Sequence, residues 1–451
     1  MYCYAICYLN LLIVLTKNFM KMKRLISCFT LLFALIFPFV ANAQMDNLAN
    51  MSAKWIRLNA RNAAFDGADI VNYNPAGLVK LDDGLHFSLN NQTLFRSPEH
   101  KYMLNPYMTS VKEGKQDGVD AFLPSFYVAY KKGKWALSTG AYITGGGASA
   151  DYPSGSVNTA MIGYQMLGTI GPMGYSNFDN QSLKASSYYL AIPLGFSYAI
   201  AEKLSASIGG RYIIANNHTK ASMVFHGVSP DYLMSVDYKN EARGFGGIIG
   251  LNYTFSDKLN VAVHYETKVK LEFESSDNKG TYKALAPDGT KSDRDLPAAL
   301  YAGIAYKVTE KFAAAFDFNY YFQSKANWGE TSGGKDLSKE AGDCYHLALG
   351  LSYQIMPKLQ LSAGCKYIHF GYSDQELYYT QLGAYETVKY DNFNIGIGAG
   401  YKVTDKVQID LGIGRTFWKD KSIKAITWPT RPEVDITNKA YVVALGVDVS
   451  F

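Results

Sequence analysis

Few residues in this 451-residue chain are spaced for covalent chemistry. His218, His226, His264, His346 and His369 are scattered with no metal-ligand spacing, and neither an HExxH nor a GxSxG word occurs. A lipid hydrolase would need a nucleophile and a base on adjacent elements, and these residue types do not provide it. The expectation is a protein that is not an enzyme and takes no metal or cofactor. The GIGAG at Gly396 to Gly400 mimics a nucleotide-binding word, but its glycines keep strict alternation and read as the inner face of a strand. Of five cysteines only Cys344 and Cys365 lie beyond residue 43. They fall on opposite faces of adjacent predicted strands, so no disulfide is expected.

Other residues suit the capture and passage of apolar matter. Met161, Ile162, Tyr164, Met166, Leu167, Ile170, Met173, Tyr175 and Phe178 crowd a stretch otherwise read as an exposed loop. They make either a ligand-binding surface, for which flexible methionines are apt, or packing of that loop onto its neighbours. Gly140, Gly145, Gly146 and Gly147, with Pro193 on the next strand, favour a bulge and a lost ladder donor. The other reading of each is ordinary sheet curvature. Alternation places Arg211, Arg243, His264, Glu266, Lys268 and Lys366 on an inner face, where a basic group either holds a carboxylate or balances its neighbours.

Strands must position these residues. Tyr441, Val443, Leu445, Val447, Val449 and Phe451 alternate with Ala444, Gly446, Asp448 and Ser450, so one face is apolar throughout. The pattern recurs on both sides of short polar turns near 132–133, 201–203, 256–258, 309–311, 356–358 and 404–406. Leu259, Val261, Val263 and Tyr265 on one strand, and Phe312, Phe316, Phe318, Tyr320 and Phe322 on another, are outward candidates. About fourteen strands of membrane-spanning length result. Long loops are expected on the opposite side, near 96–120, 145–183, 218–241, 274–297, 324–342, 372–390 and 419–437. That asymmetry, with aromatics at strand ends such as Tyr253, Phe255, Tyr401, Phe417 and Trp418, predicts an all-β transmembrane antiparallel barrel over 84–451. A closed barrel satisfies every backbone hydrogen bond in lipid, which a soluble sandwich with the same alternation need not do.

Composition agrees. Charged residues are 18% and aromatics 14% of the chain, including 35 tyrosines, a balance that favours strands and excludes disorder. The net charge of +5 falls to +1 once Lys17, Lys21, Lys23 and Arg24 are set aside, so no nucleic-acid footprint remains. Residues 1–43 read as a secretory signal peptide ending at Ala41, Asn42 and Ala43, with Met20 or Met22 as an alternative start. Export and a barrel together imply the outer membrane of a Gram-negative bacterium.

Between leader and barrel, residues 44–83 lack sheet periodicity and contain Asn74, Pro75, Ala76, Gly77 and Leu78. The segment ARNAAFDGADIVNYNPAGL, the strand pair around Ser125 to Thr144, the glycine run with Asp151 and Tyr152, and the terminal Phe451 together resemble the FadL/TodX family of outer-membrane transporters of hydrophobic compounds. The resemblance implies that residues 44–83 form a hatch inside the lumen of a fourteen-stranded barrel, with Asn74, Pro75, Ala76, Gly77 and Leu78 as hatch residues. It also implies that a kinked third strand, here carrying Gly140 and Gly145 to Gly147, opens the wall sideways. Between Arg61 and Asn74 this chain has only Gly67, where members often carry a further Gly-Gly-Ala segment. The expected activity is passive uptake of fatty acids or aromatic hydrocarbons by a monomer. Its partners would be the hydrophobic ligand, outer-membrane lipid and, through the strand ending at Phe451, the barrel-assembly machinery. An open porin, or a barrel that displays adhesive loops, is the alternative, though neither needs a plug.

Overall fold

The alternation builds a ring. A computed structural model describes residues 51–451 apart from 105, 106, 117, 332, 383, 384 and 427, and the backbone alone at 147, 148, 381, 382 and 387. The expected leader over 1–43, with its alternative starts, lies outside the described residues. The wall strands are β1 (Gly84–Arg96), β2 (Val119–Lys132), β3 (Trp135–Tyr152), β4 (Asn177–Ala199), β5 (Leu204–His226), β6 (Tyr232–Ser256) and β7 (Leu259–Glu266). They continue as β8 (Ala299–Lys307), β9 (Phe312–Tyr321), β10 (Cys344–Met356), β11 (Leu359–Phe370), β12 (Asn392–Lys402), β13 (Val407–Trp418) and β14 (Ala440–Ser450). Each pairs antiparallel with its chain neighbours, and β14 pairs with β1 from His86↔Ser450 to Arg96↔Ala440, so fourteen strands close without an edge.

Register decides what faces lipid. On β14, Tyr441, Val443 and Leu445 are exposed while Val442, Ala444 and Gly446 are buried, and β12 and β13 repeat the pattern. Cys344 faces inward, Cys365 does not, and the two form no disulfide. Tyr253 and Phe255 are exposed at the short-turn end and Phe417 and Tyr441 at the other. These are the two interfacial positions where amphipathic rings settle. Among the described residues no helix is long and apolar enough to cross a membrane.

Two sequence expectations fail in a related way. Residues 218–241 are not a loop: β5 and β6 stay paired through His218↔Lys239 to Phe225↔Tyr232, leaving a turn at 227–231. Their inner face keeps the period with Thr219, Met223, Phe225, Met234, Val236 and Tyr238, all buried. The outer face turns charged, at His218, Lys220 and Lys239, because the hairpin has left the bilayer. Likewise β3 runs to Tyr152 and β4 begins at Asn177, so Gly145 to Gly147 and Phe178 lie in strands, not in the loop.

Above the barrel mouth the remaining loops fold into a cap. Lys421–Lys424, Glu433–Thr437, Glu99–Tyr102 and Lys112–Lys115 form a separate four-stranded sheet. Three helices join it: α2 (Val157–Ile170), α3 (Leu337–Ala341) and α4 (Gln375–Leu382), where α1 (Ala53–Leu58) is the helix of the N-terminal segment. A shared core of Leu104, Val157, Trp328, Tyr378, Tyr379, Trp428, Val434 and Ile436 holds the cap together.

Candidate functional site

The N-terminal segment occupies the lumen. Ser52 starts α1, accepting from Trp55 N at 3.1 Å and donating to Asp69 at 2.6 Å. The helix then lies against inward glycines of β11 and β12. A Cβ on Gly364 would sit 1.9 Å from Leu58 O, and one on Gly396 1.9 Å from Ile56 O. The GIGAG word is therefore a smooth stretch of wall that admits a helix backbone. Polar side chains fix the contact. Arg57 donates to Asp410 (3.2 Å), Ser362 (2.7 Å) and Gln360 (2.9 Å), and Lys54 pairs with Asp448 at 2.6 Å. The Asp317 carboxylate accepts from the backbone N–H groups of Arg61 (2.6 Å) and Asn62 (2.9 Å).

The Asn74 to Leu78 word is held in the same manner. Asn74 Nδ2 donates to Asn252 at 2.8 Å and to Ala64 O at 2.9 Å. Ser197 and Ser205 donate to the carbonyls of Pro75 and Ala76 at 2.8 and 2.7 Å. Gly77 leaves room for Asn74, whose amide nitrogen would lie 2.5 Å from an added Cβ. Leu78 packs with Ile70, Val71, Tyr127 and Ala129.

Above this segment lies about 550 Å³ of atom-free space, open solvent included, lined by Met51, Trp55, Asn62, Asn72 and Tyr73 from the segment. The wall supplies Tyr142, Thr144, Glu266, Tyr301, Asn319, Tyr321, His346 and Lys366. Arg211 pairs with Glu266 at 2.6 Å, His264 stacks on Tyr301 at 4.3 Å, and the Lys366 ammonium lies 4.3 Å from the centre of the Trp55 ring. The lining offers stacking faces and a few placed polar groups, the usual make-up of a small-molecule site. Of the six residues expected on the inner face, Arg211, His264, Glu266 and Lys366 are buried there. Lys268 sits beyond the end of β7, paired with Asp295 at 3.0 Å. Arg243 points outward instead: on β6 the inward set is Ala242, Gly246, Ile248 and Gly250, and Arg243 has the opposite parity. Tyr142, Tyr301 and Tyr321 also line the space, although aromatics at strand ends read as lipid-facing from sequence. Their place in the alternation was the available signal.

The wall beside this space is incomplete. β2 and β3 pair from Lys132↔Trp135 to Phe126↔Ala141 and no further. Beyond that point β2 pairs only with β1, and β3 only with β4. The β3–β4 ladder itself shifts register between Ile143 and Gly145 and again between Gly146 and Ala148. Gly146 has φ +68°, and a Cβ there would lie 2.5 Å from Ser187 O, so the second bulge requires glycine. No pairing bridges the step between Thr139↔Leu194 and Tyr142↔Ala191, the step that faces Gly140 and Pro193. Polar groups close the top of the gap: Ser149 Oγ donates to Asp120 at 2.7 Å, and Arg96 reaches Asp120 at 2.8 Å and Ser149 O at 3.0 Å. Phe122, on the part of β2 that has no partner on β3, is 74% exposed.

The apolar residues near 161–178 are brought together as well. Ser156 caps α2, which turns Ile162, Met166, Leu167 and Ile170 onto Met223, Phe225 and Met234 of the long hairpin, with Met173, Tyr175 and Phe178 alongside. Met161 and Tyr164 lie against the core of the cap. The surface so formed packs on its neighbours and leaves part of several side chains accessible. Among the described residues no group of His, Cys, Asp and Glu is placed to hold a metal.

An edge-free ring of fourteen strands with an apolar exterior, an occupied lumen and a broken wall defines an outer-membrane transport barrel. A family model described as "Outer membrane protein transport protein (OMPP1/FadL/TodX)" matches residues 39–451, and the chain belongs to that family. Outer membrane protein P1 of Haemophilus influenzae is 25% identical over 460 residues, covering 91% of this chain and 95% of that protein. The P1 sequence of strain Rd is 29% identical over 178 residues, and the match spans only 37% of its length. In the fold comparison, the Ralstonia pickettii toluene transporter TbuX aligns with 90% of this chain and 99% of its own at a TM-score of 0.59 and 15% identity.

Proposed function

We propose that the protein takes up hydrophobic small molecules, such as long-chain fatty acids or aromatic hydrocarbons, passively across the outer membrane, with residues 44–83 acting as the hatch. One observation carries this reading. The space above the N-terminal segment is lined by Tyr142 and Thr144, and these belong to the part of β3 that has no ladder partner on β2. A molecule held there is next to the bilayer. It need not cross the periplasmic end, where Arg57, Lys54 and Asp317 tie the segment to the wall.

The apolar face around Met161, Ile162, Tyr164, Met166, Leu167, Ile170, Met173 and Phe178 serves as the landing surface. The gap framed by Gly140, Gly145, Gly146, Gly147 and Pro193 serves as the sideways exit. Unpaired backbone groups in lipid are expensive, so a broken ladder at membrane depth persists only where it lines a passage or is covered by protein. The fold likeness to a protein described as a toluene transporter supports the cargo class.

The test is uptake of labelled toluene and labelled oleate into proteoliposomes by the wild-type chain and by a variant lacking Gly145 and Gly147. Removing those residues takes out both register shifts and lets β3 straighten. The variant should still migrate as a folded barrel on unheated gels and should lose uptake. Undiminished uptake of both cargoes would refute the sideways route.

A further inference from the structure

Arg415 is a charge on the outer face of the barrel wall. It occupies the next-to-last outward position of β13, above the exposed Ile409, Leu411 and Ile413. Its neighbour Thr416 turns inward, donating to Asn394 at 2.6 Å, so the guanidinium projects from the outer surface. Two rings hold it there, with its carbon 4.5 Å from the Phe417 centroid and 5.1 Å from that of Tyr441. Phe95, opposite Tyr441 in the β1–β14 ladder, extends the aromatic surface. Among the described residues Arg415 has no carboxylate within ion-pair distance. The acid that follows in the chain, Asp420, already accepts from Thr437 at 3.3 Å. Exposed Lys419 and Lys439 add positive charge just beyond Phe417 and just before Tyr441.

We propose that Arg415, seated between Phe417 and Tyr441, binds a phosphate of the phosphorylated glycolipid in the outer leaflet. The cost of an arginine on the lipid face falls steeply from the midplane toward the interface, and an anionic headgroup offsets what remains there. A guanidinium presents a planar fork to phosphate oxygens while its faces remain stacked on the rings, which an ammonium cannot do. The aromatic surface suits the acyl and sugar portions at the same depth.

Native mass spectrometry of the detergent-extracted full chain, titrated with bis-phosphorylated lipid A, with enzymatically dephosphorylated lipid A and with inorganic phosphate, tests this. Wild type should bind the phosphorylated lipid about tenfold more tightly than the dephosphorylated one, as loss of a charge-assisted contact implies. Arg415→Gln should abolish that preference and Arg415→Lys should restore part of it. Both should keep the heat-dependent gel shift of a folded barrel and their uptake activity. Equal binding of the two lipids by wild type, an unchanged preference in Arg415→Gln, or displacement of the lipid by millimolar inorganic phosphate would each overturn the assignment.

Discussion

At the scale of single residues, buried charge holds the N-terminal segment. Arg57 is 1% exposed and meets Asp410, Ser362 and Gln360 in one place. Removing one partner leaves a buried charge uncompensated, at about 3 kcal/mol or more. Asp410→Ala should therefore speed hydrogen exchange of residues 53–58 by about a hundredfold, while Arg57→Met with Asp410→Leu recovers much of the protection. Glu386 in the cap works differently. Burial raises its carboxyl to about 7, against hydrogen bonds from Asn158 that pull it down. An acid whose folded value lies above its ordinary one favours the folded cap while protonated. That contribution is present below about pH 4.5 and is lost as pH rises through about 7. Protection of amides near residues 156–160, compared at pH 5.5 and pH 8 after correction for intrinsic exchange, should be greater at the lower pH. Glu386→Gln should flatten that difference.

At the scale of elements, the contact between α1 and β12 depends on absent side chains. Gly396→Val places atoms where Ile56 O lies. Overpacking of this kind typically costs 1–3 kcal/mol. The expected outcome is displacement of α1 with the barrel intact, seen as a larger single-channel conductance in planar bilayers beside an unchanged gel shift. An unaltered conductance would mean that the helix does not limit the aqueous path. On the opposite part of the ring, β3 parts from β2 where its bulges insert residues that the β4 ladder does not match.

At the scale of the whole molecule, a ring with an occupied lumen should exclude solutes that an open porin admits. Liposomes carrying the full chain should not swell in arabinose or sucrose, and those carrying a chain without residues 51–83 should swell readily. Rapid swelling with the full chain would favour the porin reading. The cap adds a second restriction, since its core joins loops from both ends of the barrel sequence, from Leu104 to Val434.

Much of this architecture was legible in the residues. Period-two alternation from Tyr441 to Phe451, and the same pattern around each polar turn, determines which face meets lipid, because a one-residue slip would expose every inward group. The number of strands follows from the turns, and the lack of sheet periodicity before residue 84 sets the N-terminal segment apart from the wall. Tertiary structure alone decided the rest. Residues 218–241 looked like a loop because hydropathy reports the solvent around a strand, not its hydrogen bonds. Arg243 reads as inward from its charge, yet on β6 it shares the parity of Tyr253 and Phe255 and lies outside. The gap between β2 and β3 depends on which backbone groups find partners, and the space that Tyr142 and Trp55 both line is bounded by residues far apart in the chain. Alternation assigns a side chain to a face of its own strand, but only closure of the ring determines what lies across the lumen from it.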